Sequence, residues 1–215
     1  MAFRGWPAEA LEFFERLEAD NSKPFWQRNK ETYETQVRAP MEELLEELAP
    51  EFGEGRIRRP YRDIRFSADK SPYKTHISAT IGDGYVHLDA NGLGAGSGIW
   101  EMSPDQLDRY RRAVDDDRAG RKLVDVVKAT RAKGLDVEGH GTLKTAPRGY
   151  AKDHPRIELL RNKGLLAWRR WPAGPWLGTP KSKDRVAESL RLSEPLNRWL
   201  HEHVGASTTP GQRRA

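Results

Sequence analysis

A short stretch between residues 56 and 74 carries the side chains of this sequence that are best suited to chemistry. It holds seven bases against two acids, so it alone matches the formal net charge of +5. The bases are Arg56, Arg58, Arg59, Arg62, Arg65, Lys70 and Lys74. Guanidinium forks bind phosphate and carboxylate groups through two parallel hydrogen bonds. Such a local excess predicts one anion-binding surface rather than diffuse attraction to polyanions.

The spacing within residues 59–74 predicts a role for each group. The expected ligand-binding residues are Arg59, Arg62, Asp63, Arg65, Lys70, Tyr73 and Lys74, with the cations clamping the anion and the tyrosine shaping the wall. In an extended segment Asp63 shares a face with Arg65, where a carboxylate can hold the guanidinium in position. Ser71-Pro72 predicts a turn that brings the two lysines toward the same anion. The alternative is a salt-bridged edge strand that its charges protect from association.

Two histidines follow on a predicted β-hairpin. Apolar and polar residues alternate on both sides of Asp83-Gly84, a tight-turn signal, so His76 and His87 would share the polar face. Either imidazole is a candidate general acid or base; the alternative is that both only form hydrogen bonds on a half-exposed sheet. A metal held by this pair with Asp63 or Asp89 is disfavoured because nothing fixes the spacing, and no metal ligand is assigned.

The basic stretch also resembles a known family. Residues 59–74 match every specified position of the pattern R-x-x-R-D-x-R-F-x-x-x-K-x-P-Y-K, which is typical of the uncharacterised bacterial proteins of the domain of unknown function 2461 family. Further similarity runs along nearly the whole chain, for example at Phe13-Phe14, from Trp26 to Tyr33 and from Leu160 to Lys163. The resemblance favours a functional motif, but it implies no particular activity, substrate or cofactor.

Glycine occupies every second position from Gly92 to Gly98, and at first sight this pattern suggests a phosphate-binding loop. However, the G-x-G-x-x-G spacing and the G-K-[ST] ending of a P-loop are both missing. Alternate glycines instead strip one face of a strand, which predicts that a helix, an aromatic ring or a ligand approaches the backbone closely.

A second basic group lies between residues 144 and 163. Its cations are Lys144, Arg148, Lys152, His154, Arg156, Arg161 and Lys163. With Tyr150 and Trp168 interleaved, the group is suited to single-stranded nucleic acid, although no recognised nucleic-acid module is present. It is either a solvated surface loop or a further part of the pocket, and the sequence leaves both open.

Hydrophobic periodicity predicts the elements that position these groups. Apolar residues recur at helical spacing in the first fifty residues, between 104 and 132, and after Pro180, whereas the period changes toward two from Arg56 to Met102. This order predicts an α+β fold, with a mainly antiparallel sheet of about four strands packed by N-terminal, middle and C-terminal helices.

Local signals refine this outline. Beyond the hairpin, strands are expected from Leu93 to Trp100 and around Arg58 to Phe66. Pro40 should end a helix, and Pro195 should kink or split the last one. Residues 1–204 are expected to form a single domain, and 205–215 a flexible tail.

Composition narrows the class of protein. A chain of 215 residues with 36% hydrophobic residues supports a folded core. The absence of cysteine excludes disulfides, a thiolate nucleophile and cysteine-ligated metal sites. Apolar runs are short, and Glu9 follows the N-terminus too early for a signal peptide, so we expect a cytoplasmic protein without a membrane partner.

These observations favour a cytosolic protein that binds a phosphorylated or other anionic small molecule in an arginine- and lysine-lined pocket. An extension of this hypothesis is an enzyme of phosphoryl or phosphodiester chemistry, in which His76 or His87 moves a proton. The alternatives are a nucleic-acid or protein interaction module that uses a basic surface, and a purely structural role for the arginines. Ligand identity, cofactor, metal dependence and oligomeric state are not determined by the sequence.

Overall fold

The computed structural model describes residues 2–65 and 68–208, which form helices and an antiparallel sheet. The elements are α1 (Ala8–Ala19), α2 (Lys23–Thr32), α3 (Ala39–Phe52), β1 (Gly55–Ile57), β2 (His76–Ile81), β3 (Gly84–Asp89), β4 (Gly92–Ile99), α4 (Pro104–Asp115), α5 (Asp117–Ala132), β5 (Asp136–Glu138), α6 (Ile157–Leu160), β6 (Leu165–Pro172) and α7 (Lys181–His203). A π-helical turn, Tyr33–Arg38, joins α2 to α3, and a 3-10 turn, Pro175–Gly178, precedes α7. The predicted α+β class is confirmed.

The sheet has six strands, in the order β1-β2-β3-β4-β6-β5, and the prediction of about four was wrong. The hairpin and the strand that follows it are confirmed as β2, β3 and β4. β5 and β6 were missed because they lie in a segment rich in glycine, proline and tryptophan, whose loop-like composition hides the strand pattern.

The strand expected around Arg58 to Phe66 is also wrong in its described part. β1 ends at Ile57, and within residues 58–65 Tyr61 pairs only through an isolated bridge to Tyr73. Pro60 lacks the N–H group that a continuing ladder would need, which explains the interruption. Phe66 lies outside the described residues.

Two prolines lie within helices that they were expected to interrupt. The helix continues through Pro40, which follows the π-helical turn and lies in the first turn of α3. Proline is tolerated there because the first turn of a helix does not need its N–H group. α7 likewise runs unbroken from Lys181 to His203 with Pro195 inside it, so it is not split.

The chain divides into two compact units. The described part of the first unit is residues 2–65, 68–95 and 170–188. Here α3 packs against β1 and β2. The apolar stripes of the helices and the hairpin supply its buried residues, among them Phe14, Leu17, Met41, Leu44, Ile77 and Leu88. The basic stretch and both candidate histidines belong to this unit.

The second unit comprises residues 96–169 and 189–208 of the described chain. α4, α5 and β5 surround a core that contains Tyr110, Leu123 and Trp199. The indole Nε1 of Trp199 donates to the carbonyl of Ala119 at 3.0 Å. The single domain expected for residues 1–204 stays a prediction.

The first residues of the expected tail are hydrogen-bonded to α4. The guanidinium of Arg109 donates to the carbonyl of Ala206 at 2.7 Å, and the amide of Thr208 donates to Asp105 at 2.8 Å. Residues 209–215 of that tail lie outside the described part. Within residues 2–65 and 68–208, none of the helices combines the length and apolar character that a membrane crossing needs.

Candidate functional site

Residues 59–74, here called the basic loop, are closed at their base by main-chain pairing. The amide of Arg62 donates to the carbonyl of Pro72 at 2.9 Å, and that of Lys74 donates to the carbonyl of Pro60 at 2.8 Å. Both prolines supply only a carbonyl here, so their missing N–H groups leave nothing unpaired. This pairing brings the two ends of the motif together.

The base of the loop rests on aromatic rings from the N-terminal helices. The ring of Tyr73 stacks on Trp26, with centroids 4.2 Å apart and planes 5° apart, and Trp26 in turn contacts Tyr33 at 4.8 Å. Burial raises the pKa of Tyr73, and raises that of Tyr33 to about 12. Both phenols are therefore neutral at physiological pH, and Tyr73 supports the loop from beneath.

Three cationic residues lie where the loop closes, and we call Arg58, Arg59 and Lys74 the cationic base. The ammonium of Lys74 donates to the carbonyl of Arg59 at 2.9 Å, while the guanidinium of Arg58 lies 5.4 Å from the centre of the Tyr85 ring. Burial, together with the charges of Arg58 and Arg59, lowers the pKa of Lys74. Like charges held together in this way favour an anion among them.

Near the far end of the loop, Asp63 holds Arg65 as its position in the sequence predicted. The guanidinium donates to both carboxylate oxygens, from Nε at 3.0 Å and from Nη2 at 2.7 Å. These bonds lower the pKa of Asp63 to about 2. Lys70 donates from Nζ to the carbonyl of Ile64 at 3.0 Å. The two lysines expected to converge on one anion thus contact different carbonyls.

Arg62 also has an acidic partner within the loop. Its guanidinium forms a hydrogen bond with Asp69, which further accepts from the hydroxyl of Ser71 at 2.6 Å and from its amide at 2.9 Å. The bonds from Ser71 and Arg62 lower the pKa of Asp69. An exposed ion pair of this kind contributes little stability, so an incoming anion could replace the carboxylate at small cost.

Both candidate histidines lie on the polar face of the β2–β3 hairpin, as predicted. In the register of the strands, His76 faces Asp89 and Ser78 faces His87. The two imidazole rings stack with centroids 4.4 Å apart. Burial lowers the pKa of His76 to about 4, and nearby His87 and Lys74 add to the shift. His76 is therefore neutral at pH 7 and lies within the electrostatic reach of the cationic base.

Asp89 connects His87 to an arginine that the sequence did not reveal. The Nε2 atom of His87 lies 3.1 Å from Oδ2 of Asp89, and Arg170 on β6 donates to both carboxylate oxygens at 2.6 Å. Burial alone would raise the pKa of Asp89, but the bonds from His87, Arg170 and the amide of Asn91 together lower it. The carboxylate is therefore ionised at neutral pH.

Arg170 reaches Asp89 across the glycine-rich strand. β4 lies between β3 and β6, and its even positions from Gly92 onward carry no side chain. The bare face leaves room for a long side chain to cross from one neighbouring strand to the other. The alternate glycines were thus a usable signal for close approach, but they did not identify the residue that approaches.

The second basic group contributes to the interior of its own unit. Arg156 donates to the carbonyls of Val114 at 2.6 Å and Asp115 at 2.7 Å, and Arg161 donates to the carbonyl of Leu143. These bonds give two of its arginines a structural role.

Among residues 2–65 and 68–208, no three His, Asp or Glu side chains gather as metal ligands would.

The comparisons with known proteins bear on the whole chain. The model of a family described as conserved hypothetical protein (DUF2461) matches residues 9–199. No curated protein and no solved structure gives a significant match. The matched segment contains the basic loop, both histidines and Arg170.

Proposed function

The chain belongs to the DUF2461 family of conserved hypothetical proteins, and we propose that it binds an anionic ligand, most favourably a phosphate-bearing small molecule, at the cationic base of its basic loop. The main-chain closure of the loop carries this proposal, because it holds the backbone of Arg59 beside the side chain of Lys74. Preorganised donors bind more tightly than mobile ones, since less freedom is lost on binding.

The electrostatics of the loop separate its cations into two groups. Arg62 and Arg65 each have a carboxylate partner within the loop, Asp69 and Asp63. At the cationic base, by contrast, the described contact of the Lys74 ammonium is with a neutral carbonyl. We therefore assign the primary anion contacts to the cationic base, and a secondary role to the two paired arginines.

The test measures thermal stabilisation by inorganic phosphate and pyrophosphate. A ligand at a hundred times its Kd adds about 2.7 kcal/mol, which for a chain of this size raises Tm by roughly 5 to 10 °C. The double variant Arg59→Gln and Lys74→Gln should lose most of this shift, since glutamine keeps a polar side chain at each position but carries no charge.

Arg121→Gln is the matched control, because Arg121 is an exposed cation on α5 in the other unit. It should keep the full shift. Equal shifts in the control and the double variant would refute the proposal. A shift that falls steeply with added salt, and in equal steps as each base is removed, would instead favour a non-specific polyanion surface.

A further inference from the structure

The contacts of Asp89 determine which nitrogen of His87 is available for chemistry. The side chains of both residues are largely buried, at 17% exposure for His87 and 15% for Asp89. Because Asp89 is ionised, it can only accept, so the proton of neutral His87 lies on Nε2. Nδ1 then carries the lone pair and can take a proton.

Arg170 makes this arrangement rigid. Its two bonds to Asp89, and the amide of Asn91 at 2.8 Å, fix the carboxylate independently of His87. A carboxylate held in this way orients an imidazole and stabilises the imidazolium that forms when it takes a proton. Arg170 and Asp89 could form an ion pair without His87, so a structural ion pair alone does not explain the bond from His87 to Asp89.

The remaining neighbours suit a proton transfer. His76 stacks on His87 but stays neutral down to about pH 4, so it adds no positive charge against an imidazolium. The charged groups around the pair are Asp89 on β3, Arg170 on β6 and Lys74 at the end of the loop. Lys74 of the cationic base acts on His76 through its charge, and His76 in turn stacks on His87, so the pair lies beside the proposed anion site.

We infer that His87 is the acid–base residue of a phosphate-ester hydrolase site, with Asp89 and Arg170 as its positioning residues. Nδ1 of His87 takes a proton from a water molecule as its oxygen forms a bond to phosphorus. The bond from phosphorus to the ester oxygen then breaks, the leaving oxygen takes a proton from solvent, and the imidazolium returns its proton to solvent. This inference rests on the proposed function, because the cationic base would hold the phosphate.

Hydrolysis of p-nitrophenyl phosphate and bis(p-nitrophenyl) phosphate, followed by release of p-nitrophenol, tests the inference. His87→Gln should lower kcat/KM by about 10²- to 10⁴-fold, the range that general acid–base catalysis supplies. Asp89→Asn should lower kcat strongly with little change in KM, whereas Arg170→Lys should retain more activity than Arg170→Gln. His76→Gln is the matched control and should lose far less than His87→Gln.

A second measurement does not depend on turnover. Nitrogen-15 NMR of the neutral form of His87 should show the proton at Nε2 and none at Nδ1, and Asp89→Asn should redistribute the two tautomers. If the protein binds phosphate but hydrolyses neither ester, the inference is overturned and the proposed function stands. Loss of phosphate binding as a whole would overturn both. A neutral wild-type His87 that carries its proton on Nδ1 would overturn the inference alone.

Discussion

Asn21 holds the backbone of Tyr73 by two hydrogen bonds, although the residues are 52 positions apart. Its Nδ2 donates to the carbonyl of Tyr73 at 3.0 Å, and its Oδ1 accepts from the amide of Tyr73 at 3.1 Å. One side-chain amide thus replaces the neighbouring strand that this segment lacks. The contact fastens the end of the basic loop to the turn between α1 and α2.

Asn21→Ala should therefore destabilise the protein and loosen the loop. Loss of both bonds leaves the amide and carbonyl of Tyr73 unpaired in a partly buried place, which costs about 1 to 3 kcal/mol. Urea denaturation measures this loss, and hydrogen exchange of the Tyr73 amide should accelerate.

Two variants sharpen the test. Asn21→Asp keeps the acceptor for the Tyr73 amide but turns a carboxylate oxygen toward its carbonyl, so it should also destabilise. Asn91→Ala removes an exposed asparagine side chain and should change the free energy of unfolding by less than about 0.5 kcal/mol. Equal stability of Asn21→Ala and Asn91→Ala would show that the clamp contributes nothing.

Much of the fold followed from local patterns. The stripe of α3 and the alternation on either side of Asp83-Gly84 are periodic signals, and each corresponds to an element in the structure. β1 and β5, by contrast, have three residues each, which is too few for a period to be recognised. Their existence depends on a neighbouring strand that the local sequence does not contain.

The contacts of the candidate site likewise differ in how far local sequence predicts them. The contact between Asp63 and Arg65 was anticipated from their spacing in an extended segment, but in the structure it forms in a local turn, where Asp63 also accepts from the amide of Arg65 at 3.3 Å. Arg170 contacts Asp89 across 81 positions, as Asn21 contacts Tyr73 across 52. Such contacts are set by strand order and loop closure, so residue types alone could not reveal them.

Gly96 allows a direct test of what the alternate glycines do. A Cβ atom at this position would lie 2.1 Å from the carbonyl oxygen of Ala167 and 2.9 Å from Cε3 of Trp168. Because backbone must move to relieve the first clash, Gly96→Ala should destabilise by about 2 to 4 kcal/mol in urea denaturation. Gly149→Ala is the control, since its added Cβ meets nothing within 4 Å and only backbone strain remains. A smaller loss at Gly96 than at Gly149 would contradict the close approach.

His76 should make stability depend on pH in mildly acidic solution. Its pKa is about 4 in the folded protein and near 6.5 in an unfolded chain, so the unfolded state binds more protons between these values. The free energy of unfolding should therefore fall as the pH drops from about 6.5 to about 4, by about 1 to 2 kcal/mol after allowance for partial exposure. The carboxylates with lowered pKa values, Asp63, Asp69 and Asp89, lose their contribution only below this window.

The measurement compares urea denaturation of the wild type and His76→Gln across this range. The variant should lose less stability between pH 6.5 and 4.5, because it has no imidazole at this position to protonate on unfolding. Between pH 7 and 8 the imidazole is neutral in both states, so the two curves should run parallel. An NMR titration of the His76 ring should give a midpoint near 4. A midpoint near 6.5 would mean that neither burial nor the cationic base affects this histidine, and would remove the electrostatic link between the hairpin and the loop.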